Sequence, residues 1–386
     1  VGIISGKQKH VTALKRAAKD ADVIILAGDA DREGESICVQ VATLLKQPLS
    51  KVMRIRFQEI TETAIQGALS TPATIDMDLY NAQQARRIID RLVGYKVSPL
   101  LSDALGHRGL SAGRVQSVVL NLVCEKIKEV SGFVPTASIQ FGGIFQEGIK
   151  GRLNKPVRNF GEVDLLMSQA RTSTFMTGDL STVRCKRQPP SPFTTSSLQQ
   201  AAQNHLRFSL KKTMATAQKL YQAGKITYIR TDKATLSPEY IPIIHQYIEN
   251  VHGVAYIGTP IQKVKKQKVK AQEAHEAIRP TDIAVSYQEI ADPAEQRLYQ
   301  LIWKQTVMSC MAAAEIDQHK LQIRVSGWEL NRWLNASSDT VVFPGFLVVK
   351  DGGVEKSTPS ALDLLVPGKE LDVVRLNAEE SYGEPP

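Results

Sequence analysis

A run of apolar residues from Val23 to Ala27 leads through Gly28 into acids at alternate positions, Asp29, Asp31 and Glu33. This constrains the fold more than any other stretch, because carboxylates crowded at the end of a buried strand repel unless a cation or donors sit among them. Side chains at i, i+2 and i+4 leaving a strand can converge on one point, and their oxygens suit a hard divalent ion, with Mg²⁺ the natural choice. In open α/β sheets ligands gather at the carboxyl ends of strands. A polar loop after a strand is the competing reading. The flanking pattern extends the picture. Apolar positions recur at helical spacing from Val11 to Ala21, a helix is expected from Ser36 to Leu45, and "VMRIRF" alternates, with Met53, Ile55 and Phe57 on one side and Arg54 and Arg56 on the other. Helix, buried strand, helix, strand predicts a parallel sheet covered by helices.

Further along, Leu79 to Val93 is helical, with Arg86, Arg87, Asp90 and Arg91 opposite its apolar face. "GLSAGRVQSVVLNLVCEKI" predicts a helix with an inner face of Val115, Val118, Val119, Leu122 and Val123. Arg114 and Gln116 fall in its first turn, where backbone N–H groups favour a phosphate. From about residue 134 to 187 short β-like runs dominate, apart from a helical stretch near Glu162 to Ala170. A break at Pro189 to Phe193 follows, then helices at Ser197 to Leu206 and Leu210 to Ala223, stopped by Gly224. "KITYIRTD" predicts a strand. Helices follow Ser237 and span Glu295 to Met311, before "KLQIRV" and "TVVFPGFLVV" return to β-structure in what should be the same sheet.

The 386 residues allow two to four domains, and 42% hydrophobic with 23% charged content is ordinary for a globular chain. No apolar run of about 18 residues appears, which argues against a membrane-spanning helix. The net charge of +9 favours an anionic partner, nucleic acid first. The scattered Cys38, Cys124, Cys185 and Cys310 form no CxxC pair, which argues against a zinc ribbon and fits a reducing cytosol.

Two further motifs carry chemistry. In "GKITYIRTD" the i, i+2 spacing puts Tyr228 and Arg230 on one face of a strand. A phenol with a pKa of about 10 needs help to act as a nucleophile, and a guanidinium supplies it by favouring phenolate and neutralising charge at a phosphorus under attack. A half-buried tyrosine beside a surface arginine is the bland alternative. "EAHEAIRP" sets His275 and Arg279 at i, i+4 on an expected helical turn, two phosphate-binding groups on one face. The lysines from Lys263 to Lys270 are a solvated loop or a track for a DNA backbone.

Together these motifs resemble the type IA DNA topoisomerases, specifically the bacterial topoisomerase I branch. "AGDADREGE" resembles the acidic motif of the TOPRIM domain. "NAQQARRIIDRLVGYKVSPLL", "GLSAGRVQSVVLNLVCEKI" and "PFTTSSLQQAA" resemble strand-binding and hinge segments, "LYQAGKITYIRTD" the active-site tyrosine motif, and "AQEAHEAIRPTD" the phosphate-contacting histidine motif. They occur in the family's order and cover most of the chain.

The resemblance implies a multidomain α/β and α+β fold: a TOPRIM-type parallel sheet domain, helical DNA-binding domains and a β-rich hinge domain arranged as a torus. The implied boundaries are a partial TOPRIM domain at 1–77 and a helical single-strand-binding region at 78–133. A hinge domain at 134–190 and 318–350, a tyrosine-bearing helical domain at 191–317 and a return toward the DNA-binding domain at 351–386 complete them. It implies that Tyr228 attacks a backbone phosphate of single-stranded DNA to form a 5′-phosphotyrosine, held by Arg230 and His275. Asp29, Asp31 and Glu33 would bind Mg²⁺. Arg32, Arg87, Asp90, Arg91, Tyr95, Arg114, Gln116 and Arg279 would contact DNA, with Arg87, Arg91 and Tyr95 matching a cytosine-preferring pocket. The activity implied is ATP-independent relaxation of negatively supercoiled DNA by a cytoplasmic, nucleoid-associated monomer.

The family's first TOPRIM strand, with its glutamate and lysine, has no counterpart before Val1, and the later gate and tail motifs are missing. The native protein is therefore expected to be longer, and this polypeptide alone to cleave and religate poorly. Lys233 stands where a serine often follows "RTD". Two alternatives remain from other classes: a different TOPRIM enzyme such as a nuclease or primase, or a catalytically incomplete DNA-binding fragment.

Overall fold

The computed structural model describes residues 6–157, 159–259, 276–350 and 361–385. They fall into two compact units, one formed by Val1–Ser117 with Pro190–Cys310, the other by Val118–Pro189 with Met311–Pro386.

The first unit opens with α1 (Gln8–Lys19), β1 (Ile24–Leu26), α2 (Arg32–Leu44) and β2 (Val52–Arg54). β1 and β2 pair in parallel, as the alternating pattern predicts, with Ile24 opposite Val52 and Leu26 opposite Arg54. Leu26, Cys38, Val39, Ala42, Val52 and Ile75 form the core beneath them. Three expectations need correction here. The apolar run is not buried throughout: Leu26 is, but Val23 and Ile25 are exposed, because a strand sinks on both faces only where layers cover both. Next, α2 begins at Arg32 rather than Ser36, since the Asp31 carboxylate accepts the Gly34 N–H at 2.7 Å and caps the helix. Finally, it is Val52 and Arg54 that point inward from β2. The capped α3 (Glu62–Ser70) and α4 (Met77–Leu92) follow, then a π-helical turn at Val93–Val97 and α5 (Ser98–Leu105).

α6 (Gln116–Ser131) crosses the boundary between units. None of its residues is buried, and its expected inner face stands open, Val118 at 58% exposure. The helical period is real, but an apolar stripe is buried only where another element covers it.

The second unit continues with β3 (Ala137–Phe145), β4 (Lys150–Leu153), α7 (Phe160–Arg171) and β5 (Phe175–Arg187). The chain then returns to the first unit for α8 (Thr195–Leu206), α9 (Leu210–Gln222), α10 (Tyr240–His252) and α11 (Pro293–Ser309). Thr194 and Ser197 form a capping box on α8, and Ser209 caps α9. Leu198, Ala217, Leu220, Ile226, Tyr228, Ile278, Leu298 and Ile302 share one core. "KITYIRTD" is not a ladder strand. It is irregular chain with a bend at Ile229, joined to its neighbour by a single bridge, Ile226 to Pro280.

β6 (Ala314–Val325), β7 (Leu334–Phe343) and β8 (Val373–Tyr382) complete the second unit. Its sheet runs β5-β6-β7-β4-β3-β8, antiparallel throughout. The β segments on either side of the helical insert thus share one sheet, as expected. β8, from the segment expected to return toward the DNA-binding domain, pairs along β3 from Ala137–Tyr382 to Phe145–Val373.

Candidate active site

The acidic turn is built around Arg54, a side chain with no exposed surface. Its Nε donates to Glu35 Oε2 at 2.9 Å, Nη1 to the carbonyls of Gly28 at 2.8 Å, Leu26 at 3.3 Å and Ile55, and Nη2 to the Asp29 carbonyl at 2.9 Å. One guanidinium therefore fixes the backbone from which the two aspartates spring. Glu35 is fully engaged in return, accepting from Arg56 Nη2 at 2.8 Å and the Asp76 N–H at 2.6 Å. Burial alone would raise the Glu35 carboxyl, but these hydrogen bonds and the Arg54 charge outweigh it and hold it below the usual range. The glycines close the turn. A Cβ on Gly34 would lie 2.2 Å from the Asp29 carbonyl oxygen.

Tyr228 approaches this turn from the helical stretch. Its hydroxyl donates to Asp31 Oδ2 at 2.7 Å, and Arg230 Nη1 reaches the same oxygen at 3.2 Å. Tyr228 and Arg230 thus do project to one point, although not from a sheet strand. Burial, the bond to Asp31 and the charges of Asp31 and Asp29 push the Tyr228 phenol well above its ordinary value, with Arg230 opposing. Tyr221 meets the Tyr228 ring edge-on at 5.3 Å. Its phenol is pushed up to about 12, by burial and then by the two aspartates. Asp29 is raised too, chiefly by desolvation and by the charge of Asp31.

The three acids do not converge as their spacing predicts. Among the described residues no group of three His, Cys, Asp or Glu side chains is placed to hold a metal ion. The reason is the helix cap: Glu33 lies in the first turn of α2, turned toward Arg86 at 3.4 Å, while Asp31 is taken by Gly34, Tyr228 and Arg230. The donor chemistry still fits a hard cation. Asp29 and Asp31 crowd their charges, and Glu33 Oε2 is a buried oxygen with no hydrogen-bond partner.

Of the expected DNA contacts, Arg32 opens α2 and is part-buried, while Arg87, Arg91 and Tyr95 are exposed. Tyr95 rides the π-helical turn at 74% exposure, with the Arg91 guanidinium 5.4 Å from its ring. Asp90 accepts from Arg114 Nε at 2.8 Å, which holds its carboxyl below the usual range, and Gln116 donates to Ser111 Oγ at 3.1 Å. Arg279, also expected at the DNA, already has protein partners. It is buried, paired in two bonds of 2.9 Å with Glu276, lies 3.1 Å from Glu59 and stacks 3.9 Å from the Tyr240 ring. Nor is Glu276–Pro280 a helical turn, since Ile278 and Pro280 bridge to Phe193 and Ile226. His275 and the lysines at 263–270 lie outside the described residues. Arg54, Glu35, Gln58 and Glu59 escaped the sequence reading. The one available signal was Glu35, an acid of "DREGE" beyond the ligand spacing.

A parallel α/β sheet ending in an acidic turn, facing a buried tyrosine from a helical stretch, defines a Toprim-type protein. Comparison with known proteins agrees. A family model described as DNA topoisomerase matches residues 74–386, and one described as Toprim domain matches residues 2–60. DNA topoisomerase 1 of Pseudomonas aeruginosa and that of Escherichia coli are each 37% identical over the whole of this chain, which covers 45% of either protein. The solved full-length topoisomerase I from Thermotoga maritima matches with a TM-score of 0.84 and 32% identity, over 100% of this chain and 64% of that one. The chain belongs to the type IA DNA topoisomerases, in the bacterial topoisomerase I branch. It spans about half the length of the curated relatives it matches. No helix among the described residues is long and apolar enough to cross a membrane.

Proposed function

We propose that the protein to which this chain belongs relaxes negatively supercoiled DNA without ATP, by cutting one strand through Tyr228, passing the other strand and resealing. The observation that carries this reading is the Tyr228 hydroxyl held 2.7 Å from Asp31 Oδ2, with Arg230 on the same oxygen. In this arrangement the phenol is kept un-ionised until a phosphate enters, and Asp31 is the acceptor placed to receive its proton. Arg230 then turns to the phosphate and offsets the charge that gathers there. The phenol oxygen bonds to phosphorus, the bond to the 3′-oxygen breaks, and that oxygen leaves as a hydroxyl, taking up the proton that Asp31 received from the phenol. The new phosphotyrosine conserves the phosphodiester energy, so religation reverses the same step. His275 is assigned to the same phosphate from its motif.

Asp29, Asp31 and Glu33 are the carboxylates that would hold Mg²⁺, whose chemistry when bound is to offset phosphate charge during strand passage and religation. Arg32, Arg87, Asp90, Arg91, Tyr95, Arg114 and Gln116 are assigned to the single-strand groove, with Tyr95 offering a stacking face. The cytoplasm and its nucleoid are the expected site of action, as a monomer. The test is a denaturant trap on the full-length protein with a single-stranded oligonucleotide. A 3′-end label should travel with the protein and a 5′-end label should not. An adduct formed by a Tyr228→Phe protein would overturn the reading.

A further inference from the structure

We infer that Glu59 is a positioning residue for the nucleophile: through Arg279 it seats Tyr228 against the acidic turn, as part of a latch that must release when the tyrosine stretch parts from that turn. The inference rests on the assignment of Tyr228 made above. Four contacts join the two stretches at this place. Two of them, from the Tyr228 hydroxyl and Arg230, end on Asp31 and are lost as soon as a phosphate draws those groups away. The other two leave Asp31 alone. The Tyr228 N–H donates to the Gln58 carbonyl at 2.7 Å, and Arg279 Nη2 lies 3.1 Å from Glu59 Oε2.

Adjacent residues, Gln58 and Glu59, therefore grip Tyr228 and Arg279, and these are themselves clasped together. The Thr227 N–H donates to the Arg279 carbonyl at 2.9 Å, and the Arg279 N–H donates to Thr227 Oγ1 at 3.0 Å. The result is a closed ring: Glu59 to Arg279, Arg279 to Thr227, Thr227 along the chain to Tyr228, and Tyr228 back to Gln58. A pull on the Arg279 side chain is a pull on the backbone of the nucleophile. Packing reinforces the ring, since a Cβ on Gly224 would fall 2.5 Å from the Ile60 carbonyl oxygen and Ile60 packs on the core around Tyr228.

The charges show that the ring can also open. Arg279 is buried, and stranding a buried guanidinium would be strongly unfavourable. But Glu276, on its own segment, already neutralises it through two hydrogen bonds, and Tyr240 covers its face. Glu59 is a second, supernumerary carboxylate. It has no aligned hydrogen bond at Oε2 and its side chain keeps 21% exposure. At Arg279, separation therefore gives up one ion pair and leaves the guanidinium satisfied; the Tyr228 N–H gives up the Gln58 carbonyl as well.

The test uses Glu59→Gln in the full-length protein, read first by hydrogen exchange without DNA. Amides of residues 225–230 should exchange about tenfold faster, while those of α11 stay within about twofold, because α11 shares the core but not the ring. Adduct formation at saturating oligonucleotide should slow about tenfold with the dissociation constant held within about twofold. Unchanged exchange at 225–230, or equal acceleration in α11, would overturn the inference. Faster local exchange in a protein that forms no adduct with any substrate would uphold the latch and sink the assignment of Tyr228 instead.

Discussion

Replacing Arg54 by methionine should be among the most damaging single changes in the first unit, and its size can be worked from the structure. The substitution keeps most of the buried volume and removes five hydrogen bonds, one to the Glu35 carboxylate and four to backbone carbonyls. Breaking a buried ion pair from one side costs about 3–5 kcal/mol when the partner is stranded. Here Glu35 keeps Arg56 and the Asp76 N–H, which places its share toward the low end. The carbonyls of Gly28 and Asp29 lose well-aligned donors at part-buried positions, together worth roughly 1 kcal/mol. The expected loss is about 4 kcal/mol, a large fraction of the roughly 5–15 kcal/mol that holds a domain folded. With a urea slope near 2.5 kcal/mol/M, the midpoint of the first unit should fall by about 1.5 M. The transition of the β-sheet unit should stay in place. Arg54→Lys should fall between the two, because an ammonium retains charge but cannot serve a carboxylate and several carbonyls in one plane. The assay is urea unfolding followed by hydrogen exchange, read on peptides of β6 and β7 for the sheet unit and on peptides of β1 and α2 for the first unit. A midpoint shift below about 0.3 M, or an equal shift in both units, would refute the claim that Arg54 organises the acidic turn.

Glu35→Gln should flatten the acid limb of first-unit stability. Its carboxyl sits below its ordinary value of 4.5 in the folded state, so the stability it contributes is present above that value and is lost as pH falls through the lower folded one; a wild-type-like acid limb in the variant would argue otherwise. Gly34→Ala should destabilise by about 1–3 kcal/mol in thermal unfolding, because its Cβ would fall 2.2 Å from the Asp29 carbonyl oxygen, and an unchanged midpoint would mean that the turn is loose. Tyr95→Ala should leave the melting temperature unchanged, given 74% exposure, and weaken binding of a single-stranded oligonucleotide about tenfold by fluorescence anisotropy, the worth of one stacked base. At high pH the raised phenols of Tyr221 and Tyr228 should make folding less stable as pH climbs past about 10, where the unfolded chain ionises first; Tyr228→Phe should lessen that loss in an alkaline unfolding series.

What the sequence made legible, and what it hid, divides along the range of the interactions. Helices α8 and α9 could be placed within two residues because their stop and start signals are local: Thr194 and Ser209 cap them and Gly224 ends the second. The single sheet drawn from segments on both sides of the helical insert was readable from alternation and from the proline break. The pairing of Tyr228 and Arg230 survived even though the strand that suggested it did not form, because both side chains end on the same acceptor, Asp31 Oδ2.

At the site the hidden information concerns charges whose meaning depends on their partners. Arg54 and Arg56 alternate in the same way, yet one is sealed in the core and the other reaches the surface. Both reach Glu35, 19 and 21 residues earlier, and the difference lies in the carbonyls of Leu26, Gly28 and Asp29 that only Arg54 meets, which leave no trace in a residue pattern. Arg279 sits in a motif that reads as phosphate-binding, yet Glu276 and Glu59 already claim its donors. A phosphate can recruit an arginine only if that arginine's existing partners are weaker or movable, and a bidentate buried carboxylate is neither. By that measure Arg230 is the guanidinium free to change partners. It holds Asp31 through a single 3.2 Å bond and is half exposed, so a phosphate can displace the aspartate without unfolding anything. Arg230→Lys should therefore retain measurable adduct formation, because a cation still reaches the phosphate, while Arg230→Ala should lose about 100-fold or more, as when one stabilising donor is removed from an oxyanion site. Equal losses from both substitutions in single-turnover assays would mean that Arg230 acts through shape, and that charge neutralisation belongs elsewhere in the site.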